Sequence, residues 1–547
     1  MWIYRSLKIV VCGKQMMLPD PNFPNLLPLR VSGPMAPYKP ITSHTRVVPL
    51  SRRCLSSRPS MHSKSNRYPD EMTLVNTPCG EIRGTNSSAG VRVFKGIRFA
   101  SAERFQPPTV VTSWSGIYEA NAIGPECPQI DSQLRTLLNA DNSGQSEDCL
   151  FLNITTPSDL TSLRPVYVWI HGGAFTNVTP PLSWNDSQQL SIDGNAVVVT
   201  ISYRLGAFGF LGDLNLGILD QIAALQWVQN NIESFGGNPN NVTIFGESAG
   251  GCSVVALMAS TPAANLFAHA WAMSASIGQL RTKESAAQGL ELFLKAASVK
   301  TLAQLEKCTT QEILQAQDKM MLDIANWNQG FSPTADGTIL PLDIVGAAAS
   351  NPVDLVMGTT RDESRIFNLL NPALNNLDHD QAMDVLRANH PQRADAIWSL
   401  YSTCYPDYTP TQIVAAVDTD TNFKLHMWNM LKSRPAALTN TWSYMFTWAS
   451  PLYDGALGAS HGIDIPFIFN NTSLPHVHIY TGNDPSNGVL GAEMSRDLLN
   501  LGLLGNPNWQ PYDQTKRATK IFNMPCSIAQ SHEQSTDNLV YDFWMNA

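Results

Sequence analysis

Charge is scarce in this chain. Asp, Glu, Lys and Arg make up 15% of its 547 residues, against about 25% in an average soluble domain. Long apolar runs are missing as well. None approaches the ~18 residues of a membrane-crossing helix, and runs such as Val166–Ile170 and Ala196–Val199 are strand-sized. Basic residues are not interleaved with aromatics, as they are where proteins stack on single-stranded nucleic acid. No membrane span and no nucleic-acid partner is therefore expected. What remains is 43% hydrophobic, enough for a globular core.

Acidic residues are nearly absent from the start. Residues 1–71 hold 11 Lys and Arg against 3 Asp and Glu, a net of +8, so the other 476 carry 25 against 42, a net of −17. The same stretch has 10 of the 36 prolines and 9 serines, with no apolar period. It cannot bury enough apolar surface to offset the entropy of ordering it. A basic, Ser-rich, acid-poor start can mark an organelle transit peptide, but Pro19, Pro21, Pro24 and Pro28 oppose the amphipathic helix such peptides form. A secretory signal needs a longer apolar core than Leu7–Cys12, which Lys8 interrupts. Residues 1–71 are read as a disordered leader or a misassigned start, with the folded domain spanning 72–547.

From Met72 the pattern changes. Met72–Val75, Val91–Phe94, Leu150–Ile154, Val166–Ile170, Val197–Ser202 and Val242–Phe245 are short apolar runs rich in β-branched residues. Such runs suit strands buried on both faces of a parallel sheet. Between them, Asp220–Phe235 sets Ile222, Leu225, Trp227, Val228 and Ile232 along one side of a helix that Gly236-Gly237 stops. Buried strands alternating with helices predict an α/β fold with a mostly parallel sheet flanked by helices. Residues 283–450 are helix-rich and less regular, an expected insertion roofing a site.

The sharpest chemical signal is Gly246-Glu247-Ser248-Ala249-Gly250. A lone G-x-S-x-G is weak, and Gly458-Ala459-Ser460-His461-Gly462 matches it too. Context separates them. A strand, Val242–Phe245, enters the first, and a small-residue helix, Ala249–Ser260, leaves it. That strand–turn–helix is what a nucleophile elbow requires, so Ser248 is the nucleophile candidate and Ser460 is not. A serine nucleophile also needs an oxyanion hole, a base and an acid that orients the base. Gly-rich backbone in His171-Gly172-Gly173-Ala174-Phe175 follows the buried strand Val166–Ile170, so the amides of Gly173, Ala174 and Ala249 are the expected oxyanion donors. Among the histidines after Ser248, His461 alone lies in a loop of small residues, GASHGIDIPF, and the His comes last in the triad order of this fold. His476 and His478 alternate like strand residues and lack a third ligand, so no metal is expected. Asp362 and Glu363 follow the strand-like Asp354–Gly358, and spacing leaves them tied as the acid.

These segments resemble the type-B carboxylesterase family, which includes fungal esterases and lipases, cholinesterases and non-catalytic neuroligin-like adhesion domains. Phe94-Lys95-Gly96-Ile97, Glu147–Ile154, Ile201–Leu211, Leu219-Asp220-Gln221 and Phe235–Pro239 lead in order to the elbow, and the likeness runs from about Met72 to Trp544. It implies an α/β-hydrolase fold and resolves the tie: the acid aligns with Glu363, although Ser364 replaces the family's following glycine. His461-Gly462 matches the base motif.

The resemblance further implies ion pairs of Arg104 with Glu147 and of Arg204 with Asp220, electrostatic support of the imidazolium by Glu247, and a hydrogen bond into the site from Ser274. It implies a disulfide between Cys127 and Cys149, with no partner evident for Cys308, Cys404 or Cys526 among the nine cysteines. A disulfide favours an oxidising compartment, in conflict with the missing signal peptide, so the compartment stays open. The Cys127–Cys149 loop contains no Phe, Trp or Tyr, so the aromatic that cholinesterases use to hold choline by cation–π contact is lacking. It is also shorter than the lid loop of the fungal lipases, which favours soluble esters over acylglycerols. The expected function is hydrolysis of small to medium soluble carboxylic esters through an acyl-enzyme, without metal or organic cofactor. A lipase, and an acyltransferase or lactone-opening enzyme, are the alternatives. A non-catalytic adhesion domain is the remote one, since all three triad members are present.

Overall fold

The computed structural model describes residues 72–130, 144–177, 183–323, 330–438, 440–530 and 536–546, all within one compact unit. The leader read from residues 1–71 lies outside them.

The strands in chain order begin with β1 (Met72–Thr77), β2 (Gly80–Asn86), β3 (Val91–Arg98), β4 (Ala100–Ser101), β5 (Thr109–Val110), β6 (Tyr118–Glu119), β7 (Phe151–Pro157) and β8 (Arg164–Ile170). They continue with β9 (Val197–Ile201), β10 (Gly237–Glu247), β11 (His269–Met273), β12 (Asp354–Thr360), β13 (Thr441–Phe446), β14 (Thr519–Phe522) and β15 (Ser527–Ala529). Apart from the β4–β5 ribbon they form one sheet, ordered β1-β2-β3-β7-β9-β8-β10-β11-β12-β13-β14-β15, with β6 beside β2. From β9 to β14 every neighbouring pair is parallel. Antiparallel pairs flank this centre on both sides. The six apolar runs expected as strands correspond to β1, β3, β7, β8, β9 and β10.

The strands are apolar at successive positions because both faces are covered. Val166, Val168, Ile170, Val199 and Ile244 point into one apolar layer. Tyr167, Trp169, Val198, Phe245 and Trp271 point into the other. Alternate side chains leave opposite faces of a strand, so a strand between two layers sets most of its positions in apolar surroundings. The predicted helix Asp220–Phe235 is observed as Leu216–Asn231, continued by a 3-10 turn to Phe235. It starts earlier because Asp220 turns inward to Arg204 instead of opening the helix. It is buried around most of its circumference, more than a one-sided stripe indicated.

The insertion expected over 283–450 is divided. Helices Lys283–Ala296, Thr310–Asp323 and Ile344–Ser350 precede β12, and helices from Arg365 to Ser433 lie between β12 and β13. Both strands belong to the central sheet, so the helical stretch is two segments rather than one. The second contributes to a separate apolar cluster of Leu386, Ile397, Tyr401, Val414 and Val417. Among the described residues, no helix is long and apolar enough to cross a membrane.

Candidate active site

The parallel register brings the C-terminal ends of β8, β10 and β11 together: Gly246 pairs Ile170, and Glu247 pairs Met273. Ligands of open α/β sheets bind at that edge. Here β10 turns directly into the helix Ala249–Ala259, and Ser248 at the junction adopts φ 60°, ψ −120°. A side chain is strained in that conformation, which native structures keep chiefly at functional sites. The turn is tight enough that a Cβ on Gly250 would lie 2.0 Å from the Ile170 carbonyl oxygen, and one on Gly246 2.6 Å from it. Ser248 is fixed by its own backbone. Its N–H donates to Met273 O at 2.9 Å, and its carbonyl accepts from Cys252 at 2.9 Å and Ser276 at 3.2 Å.

The loop after β8 faces this elbow. A Cβ on Gly172 would lie 2.9 Å from Ser248 Cβ. Gly173, Ala174 and Phe175 all have positive φ, at 104°, 54° and 59°, and consecutive non-glycine residues there are strained. Thr176 and Asn177 N–H groups both donate to Gly173 O. The amides of Gly173, Ala174 and Ala249 donate to no backbone carbonyl among the described residues, and Ala249 opens a helix whose first N–H groups have no internal partner. His171, at the head of the loop, stacks on Tyr203 at 4.3 Å, and its Nδ1 lies 2.8 Å from Gly172 O. Burial pushes His171 down to about 4, so the ring is neutral and Nδ1 is the donor.

His461 Nδ1 lies 2.5 Å from Glu363 Oε2. The other Glu363 oxygen accepts from the Thr360 amide at 2.7 Å, and the side chain is fully buried. Asp362, its equal by spacing, faces elsewhere. It meets Arg361 at 2.8 Å and Arg365 at 3.4 Å and accepts from the Ala459 amide at 2.9 Å. Burial raises its pKa, but those cations and the amide outweigh burial and hold it below the carboxylate range. Asp362 fastens its own loop to the loop that carries Ala459.

The other imidazole nitrogen, Nε2, lies 3.1 Å from Glu247 Oε1, within ion-pair distance but not aligned for a hydrogen bond. Among the described residues no hydrogen bond joins His461 to the Ser248 hydroxyl. Catalytic hydrogen bonds are often formed only with substrate in place. Burial pushes Glu247 up to about 7, with the imidazole opposing. Burial lowers His461, but Glu247 and then Glu363 overcome it and lift the ring to about 9. Two rings pack on the imidazole: Phe423 at 4.9 Å and Phe367 at 5.2 Å. Neither was singled out in the sequence. Phe367, four residues past Glu363, carried a local signal; Phe423, 38 residues before His461, carried none.

The remaining expectations divide. Ser460 is buried, its hydroxyl 2.7 Å from the Tyr480 hydroxyl. The Ser274 hydroxyl has no hydrogen-bond partner among the described residues. Arg204 grips Asp220 through two bonds of 2.7 and 2.8 Å, and Arg104 pairs with Glu147. The implied Cys127–Cys149 disulfide is not formed: both are free, buried thiols. The Cys127 thiol donates to Tyr203 O at 2.9 Å. Burial, with Cys149 adding to it, raises Cys127 well above its ordinary value. His478 lies in a short helix, not a strand. Among the described residues no group of three His, Cys, Asp or Glu is placed to hold a metal.

A sequence model described as the Carboxylesterase family matches residues 71–544. The chain belongs to that family. It is a serine carboxylesterase, a hydrolase of carboxylic esters. The para-nitrobenzyl esterase of Bacillus subtilis is 32% identical over 84% of this esterase and 96% of its own length. Carboxylesterase 1D of Mus musculus is 32% identical over 83% and 90%. A Geobacillus stearothermophilus carboxylesterase structure superposes with a TM-score of 0.74 at 32% identity, covering 84% of this esterase and 98% of that chain. The esterase thus has the α/β-hydrolase fold.

Proposed function

We propose that this esterase hydrolyses small to medium soluble esters through an acyl-enzyme on Ser248, with His461 as the base and Glu363 as its orienting acid. The observation that carries the reading is the 2.5 Å contact between His461 Nδ1 and Glu363 Oε2, beside a serine presented on a strained elbow. Glu363 fixes the tautomer with the proton on Nδ1, leaving Nε2 as the acceptor. Nε2 takes the Ser248 proton as Oγ attacks the ester carbonyl carbon. The tetrahedral oxyanion is held by the amides of Gly173, Ala174 and Ala249, where losing one donor typically costs ~10²–10³ in rate. The C–O bond to the alcohol breaks, and the imidazolium returns its proton to the leaving oxygen. Water repeats the sequence on the acyl-enzyme and frees the acid.

Relatives are named for para-nitrobenzyl, phenmedipham and fumonisin B1 hydrolysis, so membership alone leaves the acyl and alcohol groups open. The test compares wild type with Ser248→Ala on p-nitrophenyl esters from acetate to palmitate. Activity on the short chains that vanishes in the variant supports the reading. A rate that jumps with long chains above their solubility limit would replace it with a lipase. Ester turnover that requires a second alcohol would replace it with an acyltransferase.

A further inference from the structure

The helical run from Pro410 to Ser433 contains one turn of π-helix, Asp420–Lys424, between the α-helices Pro410–Thr419 and Leu425–Ser433. The Leu425 amide reaches back five residues to the Asp420 carbonyl. Such turns are rare and recur at functional sites. Three contacts hold this one. Asp420 and Lys424 form an ion pair at 2.9 Å, with side chains 1% and 5% exposed. The Tyr401 hydroxyl donates to Asp420 and accepts from the Trp544 indole N–H at 2.8 Å, which ties the turn to the C-terminal helix Thr536–Met545. The amide of Ser364, next to Glu363, donates to Thr419 Oγ1 at 3.0 Å.

The residue this turn delivers to the site is Phe423. Its ring lies 4.9 Å from the His461 imidazole at 43°. The imidazole needs such a neighbour. Among the described residues its one aligned side-chain hydrogen bond, to Glu363, acts as a pivot, while the outermost torsion of His has broad, shallow minima. Glu247, 3.1 Å from Nε2, is not aligned for a hydrogen bond, so it attracts the ring without fixing its tilt, which packing must do. Removing the extra residue of the π turn would rotate the positions after it by about 100° around the helix axis, carrying Phe423 off His461.

We propose that the π turn Asp420–Lys424 is a positioning element for the base: it packs Phe423 against His461 so that Nε2 stays within reach of Ser248, and the Asp420–Lys424 pair, Tyr401 and Trp544 hold it there. The inference rests on His461 acting as the general base. A residue that acts through the base alone lowers kcat on removal and leaves KM nearly unchanged. Misplacing a reacting group by 1 Å costs up to ~10² in rate.

The test uses the full chain with Phe423→Ala, Phe423→Leu and Lys424→Met, each titrated to completion with an organophosphonate to count active serines. With p-nitrophenyl butyrate, Phe423→Ala should lose at least about tenfold in kcat per titrated serine with KM within about twofold. Phe423→Leu should recover most of the loss, and Lys424→Met should change kcat in the same direction. An unchanged kcat per titrated serine in Phe423→Ala, or a loss confined to KM, would refute the positioning role while leaving the triad intact. A wild-type protein in which no serine titrates would sink the triad, and this inference with it.

Discussion

Replacing Glu247 by Gln removes the largest influence that raises His461 while conserving shape. The carboxylate sits 3.1 Å from Nε2, and both side chains are nearly buried. At that distance and an effective dielectric of ~20, a full charge is worth about 5 kcal/mol, or about 4 pH units at ~1.4 kcal/mol per unit. Burial holds Glu247 itself near 7, so it is partly neutral across the working range, and the expected displacement is smaller, about 1 to 3 pH units. The sign follows from the chemistry. With His461 lifted to about 9, the imidazolium persists to higher pH, and an imidazolium cannot accept the Ser248 proton. The acid limb of kcat/KM in the wild type should therefore lie above the ordinary histidine value, with activity rising as pH rises through it. In Glu247→Gln the limb should move to lower pH. The plateau should fall as well, by up to about tenfold for each pH unit the limb moves, because the same carboxylate stabilises the imidazolium formed in the transition state. The assay is kcat/KM of a soluble p-nitrophenyl ester from about pH 5 to 10, followed at the isosbestic wavelength. An acid limb that stays put or moves upward in Glu247→Gln would refute the reasoning.

Three further outcomes are expected. Glu363→Gln should lower kcat per titrated serine by several orders of magnitude, because the imidazole loses its tautomer control. Asp362→Asn should mainly lower thermal stability, since it leaves Arg361 and Arg365 short of a partner; the opposite pattern would exchange the two roles. Gly250→Ala should abolish folding or the titratable serine, because the added carbon would sit 2.0 Å from a sheet carbonyl. Gly488→Ala, with open space around it, should leave both soluble yield and titration intact. In protein kept reduced, Cys127 and Cys149 should resist alkylation until the chain is denatured; peptide mapping that finds them labelled in native protein would contradict their burial.

The chain order of the site is legible in the sequence. Strand, tight turn and helix around Ser248 are written in consecutive residues, because only glycines tolerate the approach of Ile170 O at Gly246 and Gly250. The parallel sheet is legible too, because strands covered on both faces are apolar at most successive positions. The choice between Asp362 and Glu363 is different. The two are neighbours with the same charge, and local spacing is silent on which one turns toward a loop 98 residues away. Resemblance points to Glu363; in the structure Glu363 lies against His461 Nδ1, while Asp362 is held by Arg361, Arg365 and Ala459. The helices Arg365–Ser433 could be expected, but not that a π turn would place Phe423 on His461.

The sequence by itself determined what depends on neighbours along the chain: the elbow, the strained glycine-rich loop after β8, and the alternation that makes an α/β sheet. The tertiary structure alone decided what depends on distances across it. It turned His461 Nε2 toward Glu247 in the resting site, set two phenylalanines on the imidazole, and left Cys127 and Cys149 as buried thiols. Each outcome is fixed by packing and electrostatics between residues far apart in sequence. Local propensity carries no record of those contacts.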